Sequence, residues 1–273
     1  MRCPGSGRLI GVRDNGGDGR IEIRELDGRP GAAEHHRAAA LFERIWGEPL
    51  MEAGLLRALS HAGNYVAGAW RGEELAGAAV AFFTAKGELH SHIAGVAPEA
   101  RGAGVGRRLK SHQRAWALER GIGTVVWTFD PLVRRNAHFN MHVLGAMPAA
   151  YLPDFYGMMR DELNDASPSD RLYTVWDLRA SAPPSPGTSE ELIGRGAAVL
   201  LEPGAEHPAD LPRKGRLLVA VPEDVEGLRA RSPRTTARLR FAVREALMSA
   251  MEAGMRVTGM TRDGYYVLEG GAS

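Results

Sequence analysis

Residues 89–118 read LHSHIAGVAPEARGAGVGRRLKSHQRAWAL. The pattern predicts a strand over Leu89–Val96, a glycine-rich turn and a long amphipathic helix, in that order. Side chains recurring at helical spacing are predicted to face a sheet: Val105, Leu109, His112 and Trp116. The basic side chains are predicted to lie on the other helix faces: Arg107, Arg108, Lys110, Arg114 and Arg120.

The turn, Arg101-Gly102-Ala103-Gly104-Val105-Gly106, has the composition of an anion-binding site. A helix N-terminus attracts phosphate because its first N–H groups are unpaired and carry partial positive charge. Glycines let the backbone approach a ligand closely, and Arg101 adds a fixed cation. The spacing R-x-x-G-x-G matches neither the dinucleotide fingerprint nor the P-loop. These six residues alone leave two interpretations open, an anionic cofactor held by backbone amides or a turn without a ligand.

Composition predicts an ordinary globular protein. The 273 residues are 44% hydrophobic and 25% charged, with a net charge of +1. Such a balance argues against nucleic-acid binding, which needs an excess of positive charge. The single Cys3 argues against disulfides, thiolate catalysis and a cysteine metal site. We expect a cytoplasmic protein without a membrane partner, because no apolar run approaches a spanning helix and no signal-peptide core is evident. The preference for arginine over lysine indicates a GC-rich bacterial genome.

Hydrophobic periodicity predicts an α/β (α+β) protein. Residues 1–20 are predicted to be disordered, residues 21–180 to form the main domain, and residues 181–189 to be a Pro-rich linker. Residues 190–273 are predicted to form a small β-α-β-β extension packed on the main domain. In the main domain, strands are predicted at 21–26, 64–70, 75–84, 89–96, 124–129, 149–156 and 172–178, and helices at 30–46, 51–61 and 132–144 as well as after the glycine turn.

The glycine turn and its flanks resemble a known family. Val96-Ala97-Pro98-Glu99, followed by the turn and a helix, resembles motif A of the GNAT superfamily of acyl-CoA N-acyltransferases. The predicted order of elements over residues 20–180 is also similar. The resemblance implies a central mixed, twisted sheet flanked by helices. It further implies that the amides of residues 102–106 bind the pyrophosphate of an acyl-CoA, and that Ala94, Gly95 and Val96 bind its pantetheine arm and thioester carbonyl.

His90 and His92 are two residues apart and are therefore predicted to share one face of the strand. An imidazole has an unperturbed pKa of about 6.5, which suits proton removal near neutral pH. The pattern His-x-His-x-x-x-Val resembles the histidine pair of the arylalkylamine N-acetyltransferases, which implies that the pair passes the amine proton out through water. The alternative is one core and one surface histidine. No metal is predicted, because no third ligand has suitable spacing.

The proton donor for the leaving thiolate is harder to place. GNAT enzymes often use a tyrosine four residues before the glycine that closes the next helix, and Met141 stands at that position here. Tyr156 is the predicted substitute, with Tyr151 as the other candidate. Alternatively, the coenzyme A thiolate leaves stabilised by the helix terminus.

Several further segments resemble a little-characterised bacterial GNAT subgroup with a C-terminal extension: Trp127-Thr128-Phe129-Asp130-Pro131, Asn136-Ala137-His138-Phe139-Asn140, Leu144-Gly145, Tyr156-Gly157 and Ser169-Asp170-Arg171. Asn136 is a predicted cofactor contact, or else a polar residue on a wet helix face. Asp130 is a predicted substrate contact, or else a helix N-cap. Arg171 and Arg160 are candidate carboxylate readers, or else surface charges. Six arginines are predicted to form a solvated or interface face: Arg229, Arg231, Arg234, Arg238, Arg240 and Arg244.

The sequence therefore predicts an acyl-CoA-dependent N-acyltransferase that transfers acetyl, or a short acyl group such as succinyl, directly to a primary amine of a small molecule. The catalytic candidates are His90, His92 and Tyr156, and a homodimer is a candidate assembly. The alternatives are a non-catalytic acyl-CoA sensor with the same fold and an enzyme that uses the turn for a nucleotide phosphate. The histidine pair argues against the sensor, and the lack of a P-loop lysine argues against the nucleotide enzyme.

Overall fold

The computed structural model describes residues 21–26, 33–157, 168–212 and 215–270. The predicted disorder at 1–20 lies outside these ranges. The chain is a mixed α/β protein with a central mixed sheet flanked by helices and an additional C-terminal sheet. Its contacts divide it into two compact units, Met1–Val125 and Val126–Ser273. The division falls within a strand and not at the predicted linker.

The first unit contains four antiparallel strands in the order β1-β2-β3-β4. Its elements are β1 Ile21–Glu25, α1 Ala33–Trp46, α2 Ala53–His61, β2 Tyr65–Arg71, β3 Glu74–Phe83, β4 Leu89–Val96 and α3 Val105–Glu119. β2 and β3 are buried along nearly their whole length, as expected for strands covered on both faces. The sheet-facing side chains predicted for α3 are buried, which confirms that helix and its orientation.

β4 carries a bulge in its middle. Ser91 lies opposite Ala81 and Ile93 lies opposite Val80, so His92 is the extra residue. A bulge re-aims the side chains that follow it. A Cβ atom on Gly95 would come 2.6 Å from Ile45 Cδ1 of α1, whereas Ser91 contacts α3. Ser91 therefore faces α3 and Gly95 faces α1. Simple alternation along the strand would have put these two residues on the same face.

The second unit contains two sheets. Strand β5, Thr124–Phe129, contains the division, with most of its residues in the second unit, and the order of the strands from there on is β5-β7-β6. The second sheet has the order β10-β11-β9-β8. The elements are α4 Arg134–His138, β6 Met147–Leu152, β7 Arg171–Asp177, α5 Ser189–Ile193, β8 Ala198–Leu201, β9 Leu217–Ala220, α6 Val225–Arg231, α7 Pro233–Glu252, β10 Arg256–Met260 and β11 Tyr265–Glu269.

Three predicted elements of this unit differ from the structure. The predicted helix over 132–144 consists of α4 and a π-helical segment, Phe139–Leu144. β6 ends at Leu152, so Tyr156 lies in the following turn and not on a strand. The extension has more elements than the predicted β-α-β-β unit, because α5, β8 and α6 are too short for a clear periodic signal.

The extension shares a hydrophobic core with the residues before the predicted linker. Leu132 and Met141 belong to the same buried cluster as Val243 and Tyr266. The Tyr266 hydroxyl donates a hydrogen bond to the Pro131 carbonyl at 2.8 Å. Within the described ranges, no helix combines the length and apolar character that crossing a bilayer requires.

Candidate functional site

The glycine turn has the backbone geometry of an anion site. Gly102 and Gly104 adopt the left-handed conformation, with φ of +79° and +72°. Gly104 is the N-cap of α3, and the first helical hydrogen bond runs from Arg108 N to Gly104 O at 3.1 Å. The amides of residues 105–107 therefore have no acceptor within the helix. Because residues 101–104 are exposed, these amides can meet a phosphate from solvent.

Substituting Gly104 with alanine tests this geometry. A left-handed L-residue costs roughly 1–2 kcal/mol, so we expect lower stability together with weaker binding of the acyl-CoA that the resemblance implies, tested with acetyl-CoA. Gly63→Ala is the matched control, because Gly63 also has a positive φ of +82° and open space at the Cβ position. Thermal unfolding and calorimetric titration measure the two effects. Equal losses of acetyl-CoA affinity in both variants would contradict a specific role of the turn.

His90 and His92 lie side by side with Phe82 of β3. The Phe82 ring stacks on His90 at 4.9 Å between ring centroids, and the two imidazole centroids are 6.2 Å apart. His90 is half-buried and His92 is exposed, so a ligand in solvent can reach the pair. Desolvation lowers the pKa of both imidazoles, and the charges of His92 and Lys110 lower the pKa of His90 further. Both rings are therefore neutral at pH 7 and able to accept a proton.

Ala94, Gly95 and Val96 follow the bulge and lead towards the glycine turn. Ala94 is exposed, Val96 is half-buried and Gly95 is buried against Ile45 and Trp46 of α1. The first unit thus holds all of the predicted cofactor residues except Asn136, on β4, in the glycine turn and at the start of α3.

The second unit holds the remaining candidates. Tyr156 is 46% exposed, and its hydroxyl lies 3.3 Å from Thr128 Oγ1. The guanidinium of Arg171 lies over the Tyr156 ring at 5.2 Å from the centroid. Asn136 is exposed on α4. Arg160 lies outside the described residues.

Asp130 is held in a buried ion pair, and it is not the predicted helix N-cap, because α4 begins at Arg134 and its N-cap is Val133. Its carboxylate accepts the Leu132 amide at 2.9 Å and two hydrogen bonds from Arg240, at 3.1 and 2.8 Å. Burial raises the pKa of this carboxyl, but the charge and hydrogen bonds of Arg240, the hydrogen bond from the Leu132 amide and the charge of Arg171 together lower the net pKa. Both oxygens of Asp130 are therefore engaged.

Tyr151 and the arginine series are also engaged in buried contacts. The Tyr151 hydroxyl donates to Asp170 Oδ2 at 2.7 Å, and the Arg244 Nε donates to the same oxygen at 2.9 Å. Arg229 and Arg240 are buried, so the predicted arginine face is not uniformly solvated. Periodicity could not indicate this, because the partner carboxylates Asp130 and Asp170 are distant in sequence.

Sequence reasoning missed Lys110, which was predicted to lie away from the sheet. Its side chain is buried against β4, and Nζ donates to Ser91 Oγ at 2.7 Å and to Gln113 Oε1 at 3.2 Å. Desolvation lowers the pKa of Lys110 to about 7. The available signal was that Lys110 directly follows Leu109, a residue predicted to face the sheet. Because a lysine is rarely buried, its charge led to the prediction that it lies away from the sheet.

Comparison with known proteins gives one family. Residues 32–144 match the model of the Acetyltransferase (GNAT) family. No protein of curated function matches the chain with statistical significance.

Solved structures with a similar fold include YncA of Salmonella typhimurium, a proposed acetyltransferase solved with acetyl-CoA (17% identity, TM-score 0.48, 61% of this chain and 99% of that one). Others are the ribosomal-protein-S18-alanine N-acetyltransferase of Escherichia coli (14%, 0.48, 59% and 96%) and the ribosomal-protein-alanine N-acetyltransferase of Brucella melitensis (19%, 0.47, 57% and 98%). At such identities and TM-scores, these likenesses do not bear on the substrate.

Proposed function

Because residues 32–144 match the Acetyltransferase (GNAT) family, we propose that the protein transfers acetyl to a primary amine of a small molecule. Another short acyl group such as succinyl is the second candidate. The transfer is direct, without a covalent enzyme intermediate. The observation that carries the proposal is the succession along the chain of the paired histidines of β4, the strand segment 94–96 and the N-terminus of α3, whose first amides have no acceptor within the helix.

The turn suits the diphosphate of an acyl-CoA. Gly102 and Gly104 open the backbone, the amides of residues 105–107 donate hydrogen bonds, and the Arg101 guanidinium adds a cation. The acyl-CoA supplies an acyl group activated as a thioester. In this proposal the backbone of Ala94, Gly95 and Val96 orients the pantetheine arm, and the exposed Asn136 contributes a side-chain hydrogen bond.

The histidine pair suits removal of the amine proton. An amine attacks a thioester only when it is neutral, so a base that is itself neutral at pH 7 must accept the proton. His92, which is exposed, takes the proton from the amine through water, and His90 relays it along β4.

Tyr156 is the proposed proton donor to the leaving sulfur. Its hydroxyl lies in an exposed turn, unlike the Tyr151 hydroxyl, which donates to Asp170. The neighbouring Arg171 is the proposed reader of a carboxylate on the acceptor or on a succinyl group. Asp130 is not included in this proposal, because Arg240 and the Leu132 amide already engage its carboxylate.

The test combines binding with turnover. A thermal-shift panel of acetyl-CoA, succinyl-CoA, free coenzyme A, ATP and NAD is followed by an assay of thiol release with primary amines. A ligand that binds only the native state raises the melting temperature by mass action. We expect stabilisation by CoA species and thiol release that depends on the amine. Stabilisation by ATP or NAD alone would overturn the proposal, and CoA binding without turnover by any amine would favour the sensor alternative.

A further inference from the structure

Lys110 is a buried cationic side chain that no step of the proposed reaction uses. It lies on the face of α3 that packs against β4, with its side chain 8% exposed. Two of its partners, Ser91 and Gln113, are neutral. Burial of an ammonium group is unfavourable because it loses its solvation, which lowers the pKa of Lys110 to about 7, and groups perturbed in this way cluster at functional sites. The fold therefore retains a destabilising group at this place.

The partner of Lys110 on β4 is the residue between the two histidines. Ser91 is also the last residue before the bulge, in which His92 is the extra residue. The Ser91 side chain faces α3, where Lys110 Nζ holds it at 2.7 Å. The hydrogen bond therefore anchors the backbone at Ser91, the residue between the two histidines, and so fixes the orientation of both imidazoles.

We propose that Lys110 is a positioning residue for His90 and His92: its hydrogen bond to Ser91 fixes the backbone at the bulge, and its charge acts on His90 from behind the strand. The proposal rests on the proposed function in so far as the histidines carry the amine proton. Lys110 itself does not touch the substrate.

The charged groups around His90 support this assignment. His92 and Lys110 are the two charges that act on the pKa of His90, and both lower it. On β3, Phe82 pairs with His90 near the end of the strand. The charged residue Glu74 is at the other end of the same strand, away from His90. The other charged or titratable groups of the packed helices are Glu34, His35, His36, Arg37, Glu43 and Arg44 on α1, and Arg107, Arg108, His112, Arg114 and Glu119 on α3.

The experiment uses the full chain with two substitutions, Lys110→Met and Ser91→Ala. Lys86→Met is the control, because Lys86 is exposed in the turn between β3 and β4. Three readouts are collected for each protein: melting temperature from pH 6 to 10, NMR titration of the His90 and His92 ring signals, and kcat and KM for acetyl-CoA across pH.

We expect Lys110→Met to raise the melting temperature while lowering kcat by about 10- to 100-fold, because small displacements of reacting groups have effects of that size. The KM for acetyl-CoA stays within about 2-fold, as the turn is untouched. The pKa of Lys110 is about 7 in the fold and about 10.4 when unfolded. In the wild type, the free-energy cost of burying the charge is thus complete below about pH 7 and lost by about pH 10.4. The stability gained by Lys110→Met must therefore shrink as the pH rises from about 7 to about 10.4.

The two variants separate geometry from charge. Loss of the cation in Lys110→Met raises the pKa of His90, so the acid limb of the kcat profile moves to higher pH. Ser91→Ala keeps the cation and loses the anchor, so kcat falls while the acid limb stays near its original pH. Lys86→Met changes neither.

Wild-type kcat together with an unshifted His90 titration in Lys110→Met would overturn the proposal and leave only a tolerated buried lysine. If Lys110→Met does not fold, an unchanged kcat in Ser91→Ala overturns the anchoring role. If the wild type transfers no acyl group at all, the proposed function fails, and the NMR titration still decides whether Lys110 acts on His90.

Discussion

Replacing His90 and His92 together with glutamine is expected to lower kcat by about 100-fold or more, the usual contribution of a positioned general base. Glutamine keeps the size and hydrogen-bonding capacity of the side chains but cannot take up the proton. The pKa of each imidazole is lowered from its ordinary value by desolvation. Wild-type activity should therefore persist above that ordinary value and fall only at more acidic pH, as the rings become protonated. In the double variant this acid limb should disappear.

The measurement is the rate of thiol release from acetyl-CoA between pH 5 and 10. Activity of the double variant should recover partly at high pH, because more of the substrate amine is then already neutral in solution and needs no base. His36→Gln is the matched control, since His36 is exposed on α1. An unchanged rate in the double variant would remove the histidines from the proposed proton path.

Replacing Asp130 with alanine should have the largest effect on stability. The Asp130 side chain is 11% exposed and that of Arg240 is 1% exposed, so the substitution leaves a buried guanidinium without its carboxylate. Breaking a buried pair in this way costs about 3–5 kcal/mol. Urea unfolding measures the loss. Glu206→Ala is the control, because it breaks an exposed ion pair with Arg238, which lies on α7 like Arg240. It should cause no measurable change in stability.

The same pair predicts the response of the wild type to acid. Because the pKa of Asp130 is lowered in the fold, its contribution to stability is complete above the ordinary pKa of a free aspartate, about 3.9. That contribution is lost as pH falls through the lower folded value. Asp130→Ala should therefore lose less stability on acidification than the wild type. Equal acid sensitivity of the two proteins would show that other carboxyls dominate.

Local sequence signals were sufficient for the first unit. The strand at Leu89–Val96 and the helix that follows the glycine turn need no distant partner to be recognised, because alternation, glycine and helical periodicity are local properties. The resemblance to the GNAT family, whose model matches residues 32–144, was recognisable for the same reason, since the turn and its flanks form one continuous motif.

Positions that depend on distant residues could not be predicted. The ion pair of Asp130 with Arg240 joins residues 110 positions apart, so the substrate contact and the N-cap looked equally reasonable from the sequence. The elements α5, β8 and α6 of the extension are too short to show a periodic pattern, and elements of this length depend on tertiary packing for their stability. The π-helical segment after α4 likewise left no local signal.

The amino-acid sequence was enough to predict the order of strands and helices around the glycine turn and the resemblance to the GNAT family, because both depend on neighbouring residues. Tertiary structure alone decided which charges are buried and which residues face the histidines. Ser91 meets Lys110 only because a bulge reverses the faces of β4 and α3 packs against it. Burial and hydrogen bonding are properties of packed surfaces, and these bring together residues that the sequence keeps apart.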